Sequence, residues 1–249
     1  MLFRSPAVEI AVQDVDGLRL AISGGADRVE LCSALGVGGL TPSFGTIESA
    51  VDVADSLGRP GYVNVLVRPR AGGFVYSPSE IDTTVRDIRA ARRAGVGGIV
   101  IGALTPDNRV DVVATREFIA AADGLTVTFH RAIDAGGDPL AALDTLIDLR
   151  VDRVLTSGGA AQSLDGVDVL AALVERAAGR IQIMAGGGVT IDGIRALVAA
   201  GVDAVHLSAR RVVDSAGPSG PGGGAAAYDV TDSALVSAAV EAVRSTVEA

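Results

Sequence analysis

The sequence contains no lysine, because all 21 basic residues among its 249 are arginine. Without a side-chain amine the chain cannot form a protein Schiff base, hold pyridoxal phosphate or present a P-loop lysine. Tryptophan is also absent, and aromatic residues make up 3% of the chain. The chemistry left open is acid–base catalysis by Glu and His, anion binding by Arg, or a sparse metal site.

Cysteine and positive charge are also scarce. Cys32 is the single cysteine, so no internal disulfide can form. The net charge of −9 argues against nucleic-acid binding, although arginines can still gather around a small anion. No apolar run is long enough to span a membrane, and the N-terminal residues lack the pattern of a signal peptide. We therefore expect a soluble cytoplasmic protein.

Eight short apolar runs, rich in Val and Ile, alternate with segments of helical period. They cover residues 8–12, 28–31, 63–67, 98–101, 126–129, 153–156, 181–184 and 204–207. Some helix starts are explicit: Ser77 and Glu80 form a capping box around Pro78, and Asp138 precedes Pro139. This alternation predicts an α/β fold, a TIM (β/α)8 barrel forming a single domain over residues 1–249. A doubly wound open sheet is the alternative.

One segment breaks the pattern. Residues 215–224 read SAGPSGPGGG, within a predicted flexible Gly/Pro-rich loop at about 210–228 after strand eight. Such a loop at the catalytic end of a barrel is either a lid or a disordered surface loop.

Polar side chains recur on the strand face opposite the Val, Ile and Leu residues that should meet the helices. Because alternate strand residues point the same way, we expect this polar set to face the barrel interior. The set comprises Glu9, Glu30, Cys32, Asn64, Arg68, Arg70, Thr126, Thr128, His130, His206 and Ser208. Buried charges at strand ends favour an active site with Glu9, Glu30, His130 and His206 as catalytic groups. The alternative is a structural network in which Glu9 and Glu30 neutralise Arg68 and Arg70.

A glycine run follows strand seven, at Gly186, Gly187 and Gly188. Loops after strands seven and eight commonly bind phosphate in barrels, and glycine lets backbone N–H groups close on an anion. Thr156 and Ser157 after strand six, and Ser208 after strand eight, add hydroxyl groups. The alternative for the glycines is a tight turn without a ligand.

The sequence resembles the CutC family of copper homeostasis proteins over essentially the whole chain. The resemblance is carried by residues 25–32 (GADRVELC), 38–43 (GGLTPS), 68–70 (RPR) with 73–77 (GFVYS), 128–132 (TFHRA) with Asp134, 153–158 (RVLTSG) and 183–189 (IMAGGGV). It implies a TIM barrel, a cytoplasmic location and dimers or higher homo-oligomers. It also adds Arg131 and Asp134 to the residues expected at an anion site.

The family name implies copper binding, for which thiolate, thioether and imidazole are the preferred ligands of Cu(I). Cys32 and Met184 are the metal candidates, and parity allows His130 and His206 to face the same interior. No Cys-x-x-Cys spacing supports such a site. Cys32 as a small buried hydrophobic residue is the alternative.

Three functions therefore remain open. The first is copper binding in copper homeostasis, as the resemblance implies. The second is an isomerase, epimerase or lyase that acts by Glu/His acid–base chemistry on a small anionic or phosphorylated metabolite, with Arg68 and Arg70 holding the anion. The third is a barrel without catalytic chemistry that serves as a binding or scaffold protein.

Overall fold

Eight parallel strands alternate with helices and close in sequential order, with β1 paired to both β2 and β8. The structure is a computed structural model, and it describes residues 5–214 and 227–247. The barrel strands are β1 (Ala7–Val12), β2 (Arg28–Leu31), β3 (Val63–Leu66), β4 (Gly98–Ile101), β5 (Thr126–Phe129), β6 (Arg153–Thr156), β7 (Gln182–Gly186) and β8 (Ala204–Leu207). Closure confirms the predicted (β/α)8 barrel and excludes the open sheet.

Helices follow the strands around the outside of the barrel. They are α1 (Val15–Ser23), α2 (Phe44–Ser56), α3 (Pro78–Arg93), α4 (Val112–Ala122), α5 (Pro139–Asp148), α6 (Val167–Ala177), α7 (Ile194–Ala199) and α8 (Ser233–Val247), with short 3-10 helices at Leu35–Val37 and Arg131–Ala135. The two predicted starts are confirmed: Ser77 and Glu80 exchange both capping-box bonds, and Asp138 accepts from the first-turn amides of α5. No helix in the described ranges is both long and apolar enough to cross a membrane.

The chain after β8 differs from the expected loop at both of its ends. Arg210–Asp214 (β9) and Ala227–Thr231 (β10) pair as a two-stranded antiparallel ribbon. Their β-branched residues, among them Val212, Val213 and Val230, suit a strand better than a loop. The run at 215–224 lies outside the described residues.

Each strand has an apolar face and a polar face, as the alternating direction of its side chains predicts. On β1, for example, Val8, Ile10 and Val12 belong to the main core between sheet and helices, whereas Glu9 points into the barrel. In a barrel of this type the interior side chains form layers of four from alternate strands. Register places Glu9, Asn64, Thr128 and Met184 in one layer, and Glu30, Val100, Leu155 and His206 in the next layer toward the carboxyl ends. Charged groups thus occupy the middle of the barrel.

Candidate active site

Glu9 is the centre of a charged cluster inside the barrel. It is fully buried, its Oε2 accepts from Arg28 Nε at 2.5 Å, and its Oε1 lies 2.8 Å from His206 Nδ1. Burial alone would raise the pKa of Glu9, but Arg28 and the His206 hydrogen bond outweigh it and hold the pKa well below its usual range. Because an ionised carboxylate only accepts hydrogen bonds, His206 Nδ1 carries a proton and donates a hydrogen bond to Glu9.

His206 therefore directs its other nitrogen, Nε2, toward Glu30. The distance from Nε2 to Glu30 Oε2 is 3.7 Å, too long for a hydrogen bond but short enough for strong electrostatic coupling. Burial, with a further contribution from Glu9, raises the pKa of Glu30 to about 7, although His206 opposes this shift. Burial would lower the pKa of His206, but the carboxylates of Glu30 and Glu9 raise it overall. Near neutral pH, then, Glu30 can both accept and release a proton.

Small side chains border this pair on the way to the carboxyl ends of the strands. Gly186 pairs in register with His206, and Ala11 pairs with Glu30. A Cβ at Gly186 would lie 3.2 Å from the His206 Cβ and 2.4 Å from a Leu155 methyl carbon, so only glycine fits. Because Gly186 has no side chain, the His206 imidazole is the main side chain on this part of the barrel interior.

Asp134 organises a second polar cluster, at the mouth of the barrel between β5 and β6. Its carboxylate accepts from Thr156 Oγ1 at 2.5 Å, from the Ser157 amide and hydroxyl at 3.0 and 2.9 Å, and from the Gly159 amide at 3.1 Å. Arg131 Nε also donates to it at 2.8 Å. Asp134, Thr156 and Ser157 are thus committed to each other and fix the two loops.

Arg131 extends from this cluster toward the β7–α7 loop. Its guanidinium also donates to Ser157 Oγ at 3.0 Å, and its side chain is 41% exposed. A Cβ at Gly187, where φ is +111°, would approach Arg131 Cζ to 2.7 Å, so glycine is required there for both space and backbone conformation. The loop and the cation expected at an anion site are therefore adjacent. Gly188 faces Gln162 instead, and Ser208 lies partly buried near Gln13 under the β9–β10 ribbon.

Arg68 and Arg70 do not form the paired anion clamp that the sequence suggested. β3 ends at Leu66, so strand parity does not extend to Arg70. Arg70 instead pairs with Glu80 and donates to carbonyl oxygens of its own loop, including that of Val75. The alternative pairing of these arginines with Glu9 and Glu30 is also not formed among the described residues, since Glu9 is taken by Arg28 and His206.

Arg68 is buried and its terminal nitrogens are occupied. NH1 donates to the carbonyls of Val37 and Gly39 at 3.1 and 3.0 Å, and NH2 donates to that of Gly72 at 2.7 Å. A bidentate contact from these nitrogens to an anion is therefore blocked. Nε and one hydrogen of NH2 are left, and Nε has no hydrogen-bond partner among the described residues.

His130 stands apart from the His206 cluster. Burial and the nearby charge of Arg68 lower its pKa to about 3, so the ring is neutral at physiological pH. Its Nδ1 accepts from the Ala132 amide at 3.1 Å, so the proton of the neutral ring sits on Nε2. That Nε2 is buried and has no partner within the described chain. His130 is thus a hydrogen-bond donor rather than a base.

The soft donors do not assemble as a copper site would require. Cys32 packs with Leu66 and Val100, and burial raises the pKa of its thiol above the usual range. Met184 Sδ lies 3.2 Å from an Arg28 nitrogen, an unfavourable neighbour for a cation. Within residues 5–214 and 227–247, no three His, Cys, Asp or Glu side chains form a group that could hold a metal ion. The donor set does not fit copper.

Two arginines inside the barrel were not predicted from the sequence. Arg28 shares the parity of Glu30, so the same rule could have identified it as an inward residue. Arg153 lies on β6 with the parity of Leu155 and bonds Gln182 Oε1 and Thr128 Oγ1, each at 3.0 Å. Active-site residues of barrels are expected at the carboxyl ends of the strands, whereas these two arginines lie nearer the amino ends.

Comparison with known proteins gives consistent results over most of the chain. Residues 7–211 match the family model described as CutC family. A family protein CutC from Xanthomonas campestris is 48% identical over 204 residues, 82% of this chain and 83% of the relative. Another from Rhizobium meliloti is 46% identical over 192 residues, 77% of this chain and 76% of the relative.

Solved structures agree with the fold. The CutC protein from Streptococcus agalactiae, described with a proposed role in copper homeostasis, gives a TM-score of 0.77 at 33% identity, over 82% of this chain and 98% of that one. The thiamine phosphate pyrophosphorylase from Pyrococcus furiosus gives a TM-score of 0.60 at 15% identity, over 97% of each chain. At that identity the second likeness concerns the barrel fold alone.

Proposed function

The chain belongs to the CutC family, and on that premise we propose that it is a barrel enzyme that transfers protons on a small anionic metabolite. The observation that carries the proposal is the arrangement of Glu9, His206 and Glu30. Glu9 orients the imidazole and leaves Nε2 opposite a carboxyl group whose pKa is raised to about 7. A carboxyl group with a pKa near neutrality beside an oriented imidazole is typical of acid–base sites.

The proposed chemistry is abstraction of a proton from a carbon next to a carbonyl group. Either His206 Nε2 or Glu30 takes the proton, and the electron pair of the broken C–H bond moves onto the carbonyl oxygen. The electron pair then returns from the oxygen, and the other group gives a proton either to the opposite face of the same carbon, in an epimerisation, or to an oxygen that leaves the next carbon as its C–O bond breaks, in an elimination. This chemistry forms no Schiff base, so a chain without lysine can perform it.

Arg131 and the β7–α7 loop supply the proposed contact with the substrate's anionic group. Arg131 is half-exposed, and its guanidinium lies against Gly187 at the carboxyl end of the barrel. Phosphate commonly binds at this place in barrels. The acid–base pair on β8 and β2 and the cation after β5 then face one mouth from different sides.

Copper binding is the competing function, and it comes with the family. The description of the Streptococcus agalactiae relative supports a role in copper homeostasis. The soft donors of this chain support it poorly, since Cys32 and Met184 lie in separate packing clusters. Titration of reduced protein with Cu(I) separates the two functions. Under our proposal the Cys32→Ser variant and the wild type show equal affinity.

The direct test is solvent-deuterium exchange. Wild-type protein is incubated in D2O with a panel of small phosphorylated and carboxylated carbonyl compounds, and NMR follows loss of the C–H signal. At least one compound should exchange, and both His206→Gln and Glu30→Gln should slow the exchange by about 100-fold or more.

Asp82→Asn serves as the matched control for this assay, because Asp82 is an exposed carboxylate on α3 whose partner is Arg86. It should exchange at the wild-type rate. Exchange that is equal in wild type and both site variants would refute the assignment of His206 and Glu30. No exchange with any compound would count against an acid–base enzyme.

A further inference from the structure

On one side of the barrel mouth, three buried hydrogen-bond donors have no partner within residues 5–214 and 227–247. They are Arg68 Nε, Tyr76 Oη and His130 Nε2. Unsatisfied buried donors are rare in folded proteins, and each needs an explanation. The only other such atom among the described residues, Thr115 Oγ1, lies on α4, so the unpaired donors are concentrated rather than scattered.

Phe74 connects these donors in space. Its ring centroid is 5.0 Å from that of His130 and 5.1 Å from Arg68 Cζ. Tyr76 follows two residues later, and its hydroxyl is close enough to Arg68 for the guanidinium to oppose the burial that raises the Tyr76 pKa. Arg68 is also close enough to His130 to contribute to its lowered pKa, so the three donors belong to one neighbourhood beside Phe74.

Gly102 of the chain after β4 makes room for this arrangement. It lies between the loop that carries Arg68 and the end of β5 that carries His130. A Cβ at Gly102 would lie 2.4 Å from the His130 ring, so a larger residue would displace the imidazole. The His130 ring can therefore occupy its position only because residue 102 has no side chain.

The charge of this region is uncompensated. Arg68 is only 6% exposed, and none of the ion pairs among the described residues includes it. Its partners are carbonyl oxygens of Val37, Gly39 and Gly72, which carry partial charge only. Water could satisfy the three donors but would not neutralise a buried guanidinium, so a negatively charged acceptor fits better.

We propose that Arg68 Nε, Tyr76 Oη and His130 Nε2 form a binding site for a compact oxyanion, either a carboxylate or a phosphate group. All three atoms donate, which suits an anion and disfavours a cation. This site is separate from the Arg131 loop and stands independently of the proposed proton transfer. If both hold, the substrate carries two anionic groups, one at each place.

NMR titration of the wild-type protein tests this site. The side-chain N–H signals of Arg68 and His130 are followed while sodium acetate is added, and inorganic phosphate is added in a second series. We expect both signals to shift and saturate together with one of the two anions. The anion that saturates identifies the group as carboxylate or phosphate.

Tyr76→Phe is the decisive variant, because it removes one donor atom and leaves the ring packing intact. It should weaken binding about tenfold, as expected for a hydrogen bond to a charged group. Tyr62→Phe is the matched control, since the Tyr62 hydroxyl bonds the Ala26 carbonyl elsewhere. Its affinity should equal that of the wild type.

Two results would overturn the inference. The first is that neither acetate nor phosphate produces a saturable shift, which would mean that the donors hold water only. The second is an affinity that Tyr76→Phe leaves unchanged, which would remove the three-donor site. Because binding is measured without turnover, a failure of the deuterium-exchange assay leaves this test unaffected.

Discussion

Glu9 is the side chain on which the interior charges depend. It is fully buried and is the hydrogen-bonded partner of both Arg28 and His206. Removing one member of a buried charge cluster leaves the others uncompensated, which costs more than the cluster contributes when intact. A neutral residue of the same shape at this position isolates that effect.

We predict that Glu9→Gln lowers the free energy of unfolding by about 3 kcal/mol, because Arg28 and His206 lose their charged partner without gaining water. Urea unfolding followed by circular dichroism measures the change. Asp82→Asn, at an exposed pair on α3, should leave the unfolding midpoint nearly unchanged. Equal midpoints for Glu9→Gln and wild type would show that Glu9 is not ionised in the folded protein.

Glu30 gives a pH dependence of the opposite sign to an ordinary ion-paired carboxylate. Burial raises its pKa from 4.5 to about 7, so between these values the folded state holds a proton that the unfolded state has lost. The resulting stabilisation is complete below pH 4.5 and is lost as the pH rises to about 7. His206, whose pKa is also raised, loses its contribution in the same direction above its ordinary value of 6.5.

Glu30→Gln should therefore flatten the pH dependence of stability between pH 4.5 and 7, the two pKa values of Glu30. At pH 8 the variant should be more stable than the wild type by roughly 2 kcal/mol, since the cost of burying a carboxylate is gone. Unfolding curves at a series of pH values measure this. A wild type that becomes more stable from pH 4.5 to 7, with an unchanged slope in Glu30→Gln, would contradict a raised pKa for Glu30.

At the scale of elements, the strands were predictable and the loops were not. Period-two alternation identified the inward residues Glu9, Glu30 and His206, because side-chain direction within a strand is fixed by the backbone. The rule failed at Arg70, which lies beyond the last residue of β3, Leu66. Outside a strand no periodicity relates one residue's direction to the next.

The loops also decide which polar residues meet, and sequence spacing does not show this. Tyr76 lies near Arg68 because the β3–α3 loop turns back on itself, which brings the Gly72 carbonyl to 2.7 Å from Arg68 NH2. Likewise, Asp134 meets Ser157 across a sequence separation of 23 residues. Such meetings depend on the three-dimensional course of two loops, so parity could predict candidates for the site but not its hydrogen bonds.

Asp134 joins the β5–α5 and β6–α6 loops by hydrogen bonds, so its removal should destabilise both loops. Its carboxylate accepts from two backbone amides, at Ser157 and Gly159, besides three side chains. We predict that Asp134→Ala lowers the free energy of unfolding by about 3 kcal/mol, because the hydroxyl of buried Thr156 and the amide of buried Ser157 lose their acceptor. Chemical unfolding measures the loss, and hydrogen exchange should speed up at both amides.

The matched control for that prediction is Asp107→Ala. Asp107 also bonds a threonine and an arginine of its own loop, but it is exposed. Its substitution should leave stability nearly unchanged. If Asp134→Ala behaved like this control, the two loops would be held by packing rather than by the carboxylate.

At the scale of the whole molecule, closure of the sheet explains how one domain has both a charged barrel interior and an apolar core. Eight parallel strands with no free edge leave an outer core between sheet and helices, and a small interior that is free to be polar. The count of eight strands was predictable because each Val/Ile-rich run is bounded by turn residues. The ribbon formed by β9 and β10 was not, because its strands flank a Gly/Pro-rich run that dominates the local pattern.

Closure also makes Cys32 a probe of the whole barrel. Its side chain is fully buried inside the sheet, between Leu66 of β3 and the main chain of β1, where Sγ lies 3.6 Å from the Val12 carbonyl oxygen. Gly39 of the β2–α2 loop also lies against it, so a reagent reaches it only if this loop and the neighbouring strands move apart. In a closed barrel this opening should require global unfolding rather than fraying of an edge.

We therefore predict that native Cys32 reacts with a thiol reagent at least about 1,000-fold more slowly than a free thiol, in line with the unfolding free energies of ordinary domains. The labelling rate should rise with urea as steeply as global unfolding does. A Cys32→Ser/Ser56→Cys protein, whose cysteine is exposed at the end of α2, should react at once. Fast, urea-independent labelling of Cys32 would instead reveal local opening between β2 and β3, and only then could this thiol reach a copper ion in the folded protein.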